Sequence, residues 1–300
     1  MKQSSRTRTP SHYDEPILRQ EDFRHLRAML TERTGHEFGD DHIREFERRL
    51  RPRVVACGFS CFAQYQRFVR NEADEEELQV IYDLITNNET YFFREDYQLR
   101  SFRDETLPIL LERSTSRKQL TCWSMGCSTG EEAYSIAAVL LESMMFDGWN
   151  LRVLGTDLCR TRVAKARRAI YSESSFRSTS PERRLTHFDL TPEGLQVVPA
   201  IQSMCQFVQM NLLDLPKHAA IDQVDAIFCR NVLIYFTSEA KKRVIRAIYN
   251  RLRPGGYLML GHSESLLNEP GAFEPVYLKH DVAYHRPLLE RAPEREQGEP

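Results

Sequence analysis

From residue 21 to 86, apolar residues return every three or four positions: Phe23, Leu26 and Leu30, then Ile43, Phe46 and Leu50, then Phe62, Tyr65 and Phe68, then Leu78, Ile81 and Leu84. That interval puts them on one face of successive helices, and nothing in the stretch alternates as a strand does. TGHEFGDD separates the first helix from the second and CGFS the second from the third, because glycine and short polar residues end helices. An all-α domain over 19–86 is therefore predicted, preceded by a loose arm over 1–18.

After a long polar helix at about 95–115 the pattern changes. Short apolar runs, LTCWSM, LRVLGTD, VDAIFC and YLMLG, are separated by helical stretches such as TGEEAYSIAAVLLESMM and TRVAKARRAIY. Strand alternating with helix predicts a doubly wound, mostly parallel α/β sheet, whose strands are buried on both faces. PVYLK and VAYH read as an antiparallel closing pair. Residues 171–205 break the rhythm with SESSFRSTSPERR and THFDLTPEGLQVVP, too polar for a core strand and too long for a loop, so a small inserted subdomain is expected there. The second domain spans 87–286, and the charged, proline-bearing tail over 287–300 reads as unfolded.

Composition adds mostly exclusions. With 41% apolar residues in 300, the chain can build the cores of two domains. Its 41 basic and 43 acidic side chains leave a net charge of −2, which excludes a global field built for nucleic acid or anionic lipid. No apolar run approaches the roughly 18 residues of a membrane helix, and the start lacks a secretory signal pattern, so a soluble cytoplasmic protein is expected. The seven cysteines form no CxxC pair and no cysteine–histidine cluster, so reduced thiols and no metal site are expected. Cys57 and Cys61 read as small buried hydrophobes.

In WSMGCSTGEEAYSIA, Gly126 and Gly130 stand where a strand meets a helix, the place where open α/β sheets bind ligands. A phosphate-binding loop would carry Lys-Ser/Thr where Glu131 and Glu132 stand, and the dinucleotide GxGxxG is absent. What remains is a ligand without phosphates whose ammonium group Glu131 or Glu132 could meet; the alternative makes these glutamates partners of the helix dipole. Asp157 ends the second strand and is placed to accept hydrogen bonds from ribose hydroxyls, with capping of the next helix as its ordinary alternative. A phosphate-free nucleoside carrying an amino acid is S-adenosylmethionine.

Six segments together resemble the chemotaxis-receptor methyltransferases of the CheR type: TNNETYFFRE at 86–95, SMGCSTGEEAYSIA at 124–137, GTDL at 155–158, NLLD at 211–214, DAIFCRNVLIYF at 225–236 and LRPGGYLMLGHSESL at 252–266. The resemblance covers about residues 20–285. It implies a Rossmann-like S-adenosylmethionine-dependent methyltransferase domain behind the all-α domain, with a small inserted β subdomain. The implied activity is O-methylation of glutamate side chains in the cytoplasmic helical region of methyl-accepting chemotaxis receptors, with S-adenosylhomocysteine as product. Carried over by position, it implies Asn88, Thr90 and Arg94 in the cofactor pocket with Gly126, and Glu132 with Glu131 at the methionine end. It implies Asp157 on the ribose, Asn211 and Leu212 beside the adenine, and Arg230, Asn231 and Tyr235 lining the pocket. Arg94 and Tyr235 are the two expected nearest the transferring methyl. Tyr91, Phe92, Phe93 and Phe236 read as aromatic core. Ala133 stands where relatives often carry proline.

A glutamate carboxylate is already ionised at neutral pH, with a reference pKa near 4.3, so as nucleophile it needs no general base. His262 in GHSES is accordingly read as structural. Arginine and tyrosine suit the task of holding a carboxylate without removing its charge.

Residues 41–70 carry seven arginines against three acids. Arg44, Arg48 and Arg51 fall on one helical face, with Arg49 adjoining, opposite Ile43, Phe46 and Leu50; the resemblance makes this ridge a dock for acidic receptor helices. Pro52 is expected to kink or end that helix, which puts Arg53 off the ridge. In some relatives the inserted subdomain binds a tether peptide at the receptor tail; the polar sequence here leaves that open. A non-catalytic, cofactor-binding docking module of a signalling complex is the alternative function. A nicotinamide dehydrogenase fails on the missing GxGxxG.

Overall fold

Four amphipathic helices form the N-terminal unit: α1 (Gln20–Thr34), α2 (Ile43–Ala56), α3 (Phe62–Asn71) and α4 (Glu75–Ile85). The computed structural model describes residues 15–87, 89–217, 222–267 and 273–288. The chain divides into one unit holding the residues up to Arg33 with Phe38–Thr86, and a second holding Thr34–Glu37 with the chain from Asn87 onward. Phe23, Leu26, Leu30, Phe46, Leu50, Phe62, Tyr65, Leu78 and Ile81 are buried, as the periodicity requires. Phe68 and Leu84 are only half-buried, and their neighbours Val69 and Ile85 take the inward positions. Asp74 caps α4 by accepting from the Glu77 amide at 3.0 Å, ahead of three acidic residues that suit the positive end of the helix dipole.

Two expectations change here. Helix α2 runs through Pro52 to Ala56. Pro52 and Arg48 are both exposed, so the carbonyl that proline cannot serve faces water, which removes the reason for a break. Within the stretch read as a loose arm, Pro16 and Leu18 are buried, and the Leu18 amide donates to Glu47 Oε2 at 2.8 Å. The rest of that arm, and the tail beyond 288, lie outside the described residues.

The larger unit opens with α5 (Asp96–Ser101) and α6 (Leu107–Ser114), joined by a π-helical turn at Phe102–Thr106 into the one long helix expected. Next come β1 (Gln119–Met125), α7 (Glu131–Glu142), β2 (Asn150–Asp157) and α8 (Arg160–Arg168). The insertion contributes β3 (Ile170–Tyr171), α9 (Pro181–His187), β4 (Phe188–Thr191), β5 (Gly194–Val197) and α10 (Pro199–Gln202). The sheet resumes with β6 (Cys205–Gln209), β7 (Val224–Cys229), α11 (Ser238–Arg251), β8 (Leu252–Leu260), β9 (Glu274–Tyr277) and β10 (Val282–His285).

Seven strands form one sheet in the order β6-β2-β1-β7-β8-β10-β9, parallel from β6 to β8, with β10 antiparallel to both its neighbours. Strand β3 pairs with β5 and β5 with β4 in a separate three-stranded sheet. Alternate residues of β1 feed two cores: Leu120 and Cys122 join one, Trp123 and Met125 the other. Strand β6, CQFVQ, was not among the apolar runs; at the sheet edge it exposes Gln206 and Val208 and buries Phe207 between them. No helix among the described residues is long and apolar enough to cross a membrane.

Candidate active site

The carboxyl ends of β1, β2, β6 and β7 meet at the turns that carry the candidate residues. Gly126 follows β1 at φ +69°, and a Cβ there would lie 2.5 Å from Val232 Cγ2 in the loop after β7, so the position needs glycine for conformation and for space. The Cys127 amide donates to the Thr156 carbonyl at 2.9 Å and the Met210 amide to the Asp157 carbonyl at 2.8 Å, which stitches the ends of β1, β2 and β6 together. Gly130, at φ +96°, caps α7, whose first turn carries Glu131 and Glu132.

Asp157 is 7% exposed. Its Oδ2 accepts from the Ser128 amide at 2.8 Å and its Oδ1 from the Cys159 amide at 2.9 Å. These bonds tie the glycine loop to the turn before α8, whose N-cap is Cys159 and has no side-chain cap, so Asp157 does not cap that helix, and each of its oxygens keeps a lone pair for a hydroxyl donor. Burial raises its carboxyl above the ordinary range despite those two amides.

Glu132 and Arg230 form the centre of a buried network. Glu132 accepts from Ser124 Oγ at 2.7 Å and from Arg230 Nη1 at 3.1 Å. Arg230 also donates to Gln98 Oε1 at 2.7 Å, to the Arg94 carbonyl at 2.6 Å and to Glu95 Oε2 at 3.0 Å. Gln98 passes the chain of bonds to the Leu260 carbonyl and to Asp281, each at 2.9 Å. Desolvation raises the Glu132 carboxyl even beside the guanidinium.

Three of the assigned side chains are held by groups of the protein itself. Glu131 is 1% exposed and its carboxylate accepts from Thr129 at 2.6 Å and from Ser175 at 3.0 Å, so its charge is satisfied inside the protein. Arg230 has a side chain only 2% exposed and orients Glu132 through its bonds to Gln98, Glu95 and the Arg94 carbonyl. Arg49 leaves the basic ridge, because it donates to the Leu84 and Thr86 carbonyls at 3.0 and 3.1 Å and closes the carboxyl end of α4. Arg51 is paired with Glu47 and, at 2.7 Å, with Glu15. Arg53 pairs with Glu77. The exposed arginines of the ridge are Arg44 and Arg48.

Arg94 donates to the Glu89 carbonyl at 2.9 Å, and the Tyr235 hydroxyl accepts from Asn87 Nδ2 at 3.1 Å. Both thus contact the 87–89 stretch; Asn88 itself lies outside the described residues. Thr90 is half-buried. Asn211 accepts the Leu213 amide at 3.0 Å in a turn just past β6, with Leu212 buried behind it. Phe92, Phe93 and Phe236 are buried as expected, but Tyr91 is half-buried beneath Arg177, whose guanidinium lies 3.8 Å from the ring centroid. Glu95 and Gln98 were missed by the sequence reading, since a helix-start glutamate and a mid-helix glutamine carry no motif. His262 is exposed, 3.5 Å from the Tyr97 hydroxyl.

The donor set suits a cationic, phosphate-free nucleoside: Asp157 for hydroxyls, Glu132 for an ammonium, and in 124–132 no basic side chain to receive phosphate. Fold and site together define an S-adenosylmethionine-dependent methyltransferase. The description "CheR methyltransferase, SAM binding domain" matches residues 88–282, and "CheR methyltransferase, all-alpha domain" matches 21–86. The chain belongs to the CheR methyltransferase family. It is 31% identical over 287 residues to chemotaxis protein methyltransferase 2 of Vibrio cholerae, covering 95% of this chain and 99% of that one. It is 32% identical over 272 residues to chemotaxis protein methyltransferase 1 of Pseudomonas aeruginosa, covering 88% and 97%. Against the chemotaxis protein methyltransferase of Vibrio parahaemolyticus the identity is 31% over 269 residues, covering 88% and 96%.

Proposed function

We propose that the protein methylates specific glutamate side chains in the cytoplasmic helical region of methyl-accepting chemotaxis receptors. The observation that carries this reading is the pair of carboxylates, half-buried Glu132 and buried Asp157, flanking a glycine loop in a chain that matches chemotaxis methyltransferases along nearly its whole length. Glu132 holds the ammonium end, oriented by Ser124 and Arg230; Asp157 holds the ribose; Asn211 and Leu212 bound the base; Thr90, Asn88 and Asn231 complete the pocket. When bound, the cofactor supplies an electrophilic methyl group on a sulfonium, open to direct in-line displacement by an ionised carboxylate.

Arg94 and Tyr235 hold the incoming carboxylate in line and exclude water, with no residue acting as general base. Arg44 and Arg48 dock the acidic receptor surface. The working boundaries are a helical domain over 19–86 and a methyltransferase domain over 87–286, acting in the cytoplasm. Incubation with methyl-labelled cofactor and purified receptor cytoplasmic domains is expected to give base-labile methyl ester on receptor glutamates, and Arg94→Ala to cut the rate at least 100-fold. Label entering nucleic acid and not receptor overturns the reading.

A further inference from the structure

The GHSES turn after β8 contains a carboxylate that no part of the proposed chemistry uses. Glu264 reaches back to the end of β7, where its two oxygens accept four backbone N–H groups. Oε2 receives Asn231 at 2.7 Å and Gly261 at 2.8 Å; Oε1 receives Val232 at 2.9 Å and Ile234 at 3.2 Å. An ionised carboxylate offers about four lone-pair sites, so main-chain donors saturate this one. Three of those donors belong to one short loop, 231–234, which leaves the strand ladder at Cys229 and enters a single 3-10 turn at Leu233–Tyr235.

The loop it grips is tightly bounded. Asn231 sits at φ +58°, the left-handed region that asparagine enters more readily than most residues with a side chain. On one side, a Cβ at Gly261 would lie 2.7 Å from the Asn231 nitrogen and 2.8 Å from Asn231 Nδ2. On the other, Val232 presses on Gly126 closely enough that a Cβ there would meet it at 2.5 Å. Val232 is therefore held between the cofactor loop and the Glu264 carboxylate. Arg230 and Asn231 precede it directly, and Tyr235 donates its amide to the Val232 carbonyl at 3.2 Å.

We infer that Glu264 is a positioning residue: its anionic carboxylate sets the 230–235 loop against Gly126 and so fixes Asn231 and Tyr235 for cofactor and acceptor, which rests on the assignment of that loop made under Proposed function. Charge is what the position requires. Four N–H dipoles converge on two oxygens, a nest turned inward that only an acceptor can fill. A glutamine has the same shape, but whichever way its amide is flipped, its NH₂ faces two of the four donors. An aspartate keeps the charge on a stem one methylene shorter.

The test uses the full chain as wild type, Glu264→Gln and Glu264→Asp, with S-adenosylhomocysteine binding by calorimetry and residue-resolved amide exchange in the absence of ligand. Glu264→Gln is expected to weaken S-adenosylhomocysteine at least tenfold. It should also speed exchange at Asn231, Val232, Ile234 and Gly261 at least tenfold while β1 and β7 keep wild-type protection. Glu264→Asp is expected to bind at least threefold more tightly than Glu264→Gln. Wild-type affinity and loop protection in Glu264→Gln, equal affinity of the two variants, or exchange that accelerates equally in β1 and β7, each overturns the inference. A wild-type protein that binds the nucleoside but leaves receptors unmethylated overturns the proposed function and leaves this inference standing on its exchange result.

Discussion

Two glutamate–arginine pairs, one in each unit and each with one buried member, have opposite electrostatic outcomes. In the helical unit, Arg53 gives both Nε and Nη2 to Glu77, which also accepts from the Tyr65 hydroxyl. Burial pushes the Glu77 carboxyl up, but the hydrogen bonds from Arg53 and Tyr65 outweigh it and hold the group below its ordinary range. In the larger unit burial wins, and the Glu132 carboxyl is raised. The difference lies in how the arginine is divided. Arg53 serves one carboxylate, whereas Arg230 is shared among Glu132, Glu95, Gln98 and the Arg94 carbonyl. A shared guanidinium leaves Glu132 short of positive charge, and a carboxylate in that state favours an incoming cation. The first pair reads as structure and the second as a binding site.

The sharpest way to break this distinction is to remove each arginine. Arg230→Ala strands four acceptors at once, and removing one partner of a buried charge network costs about 3–5 kcal/mol. Denaturant unfolding is expected to show a loss of that size, together with undetectable S-adenosylhomocysteine binding. Arg53→Ala leaves Glu77 its tyrosine partner and admits water, since the Arg53 side chain is already 35% exposed. The expected loss is roughly 1–3 kcal/mol, with nucleoside affinity within twofold of wild type. Intact binding in Arg230→Ala, or lost binding in Arg53→Ala, would erase the contrast.

Neutral replacement of each glutamate separates stability from binding more finely. A carboxyl held low, such as Glu77, adds stability that is present above its unfolded pKa and is lost as pH falls through the folded value. A carboxyl held high, such as Glu132, works the other way: its ionisation costs stability at neutral pH, and the cost disappears as pH falls through the raised value. Glu77→Gln is therefore expected to destabilise at pH 7 by roughly 1–3 kcal/mol, the gap from wild type closing in acid. Glu132→Gln should match wild type at pH 7 or exceed it by about 0.5–1 kcal/mol, while binding S-adenosylhomocysteine at least tenfold more weakly. His36 complicates the raw acid profile, because burial lowers it to about 4 and stability falls as pH drops from 6.5 toward that value. The comparison must therefore be read from differences between variants.

How much of this was legible in sequence follows from where the physics is local. Gly126 and Asp157 stood out because a strand–glycine–helix junction and an acid at a strand end are short-range patterns. The four parallel strands from β2 to β8 announced themselves as apolar runs, and edge strand β6 did not, because half its side chains face water. Glu132 is joined to Arg230, whose other partners come from residues 94–98, and Glu264 bonds back across some thirty positions. No spacing rule reaches that far. Nor could periodicity tell that Arg49 and Arg51 are engaged while Arg44 and Arg48 are exposed, since all four lie on a single helix and differ only in what the neighbouring chain offers.

That last division gives the smallest effect and extends the comparison to the surface. An arginine already held by carbonyls or carboxylates has less to offer a partner than one facing water, and an exposed charge contributes about 0.2–1 kcal/mol. The double reversal Arg44→Glu and Arg48→Glu should therefore raise KM for receptor about fivefold at low salt, leave kcat and S-adenosylhomocysteine affinity unchanged, and fade to within twofold at about 1 M salt, where the Debye length is near 3 Å. Arg51→Gln, which removes a charge that Glu47 and Glu15 neutralise, should move KM less than twofold. Initial rates across a salt series check both. An equal effect of the two changes would mean that net charge of the helix, and not the exposed pair, guides the receptor.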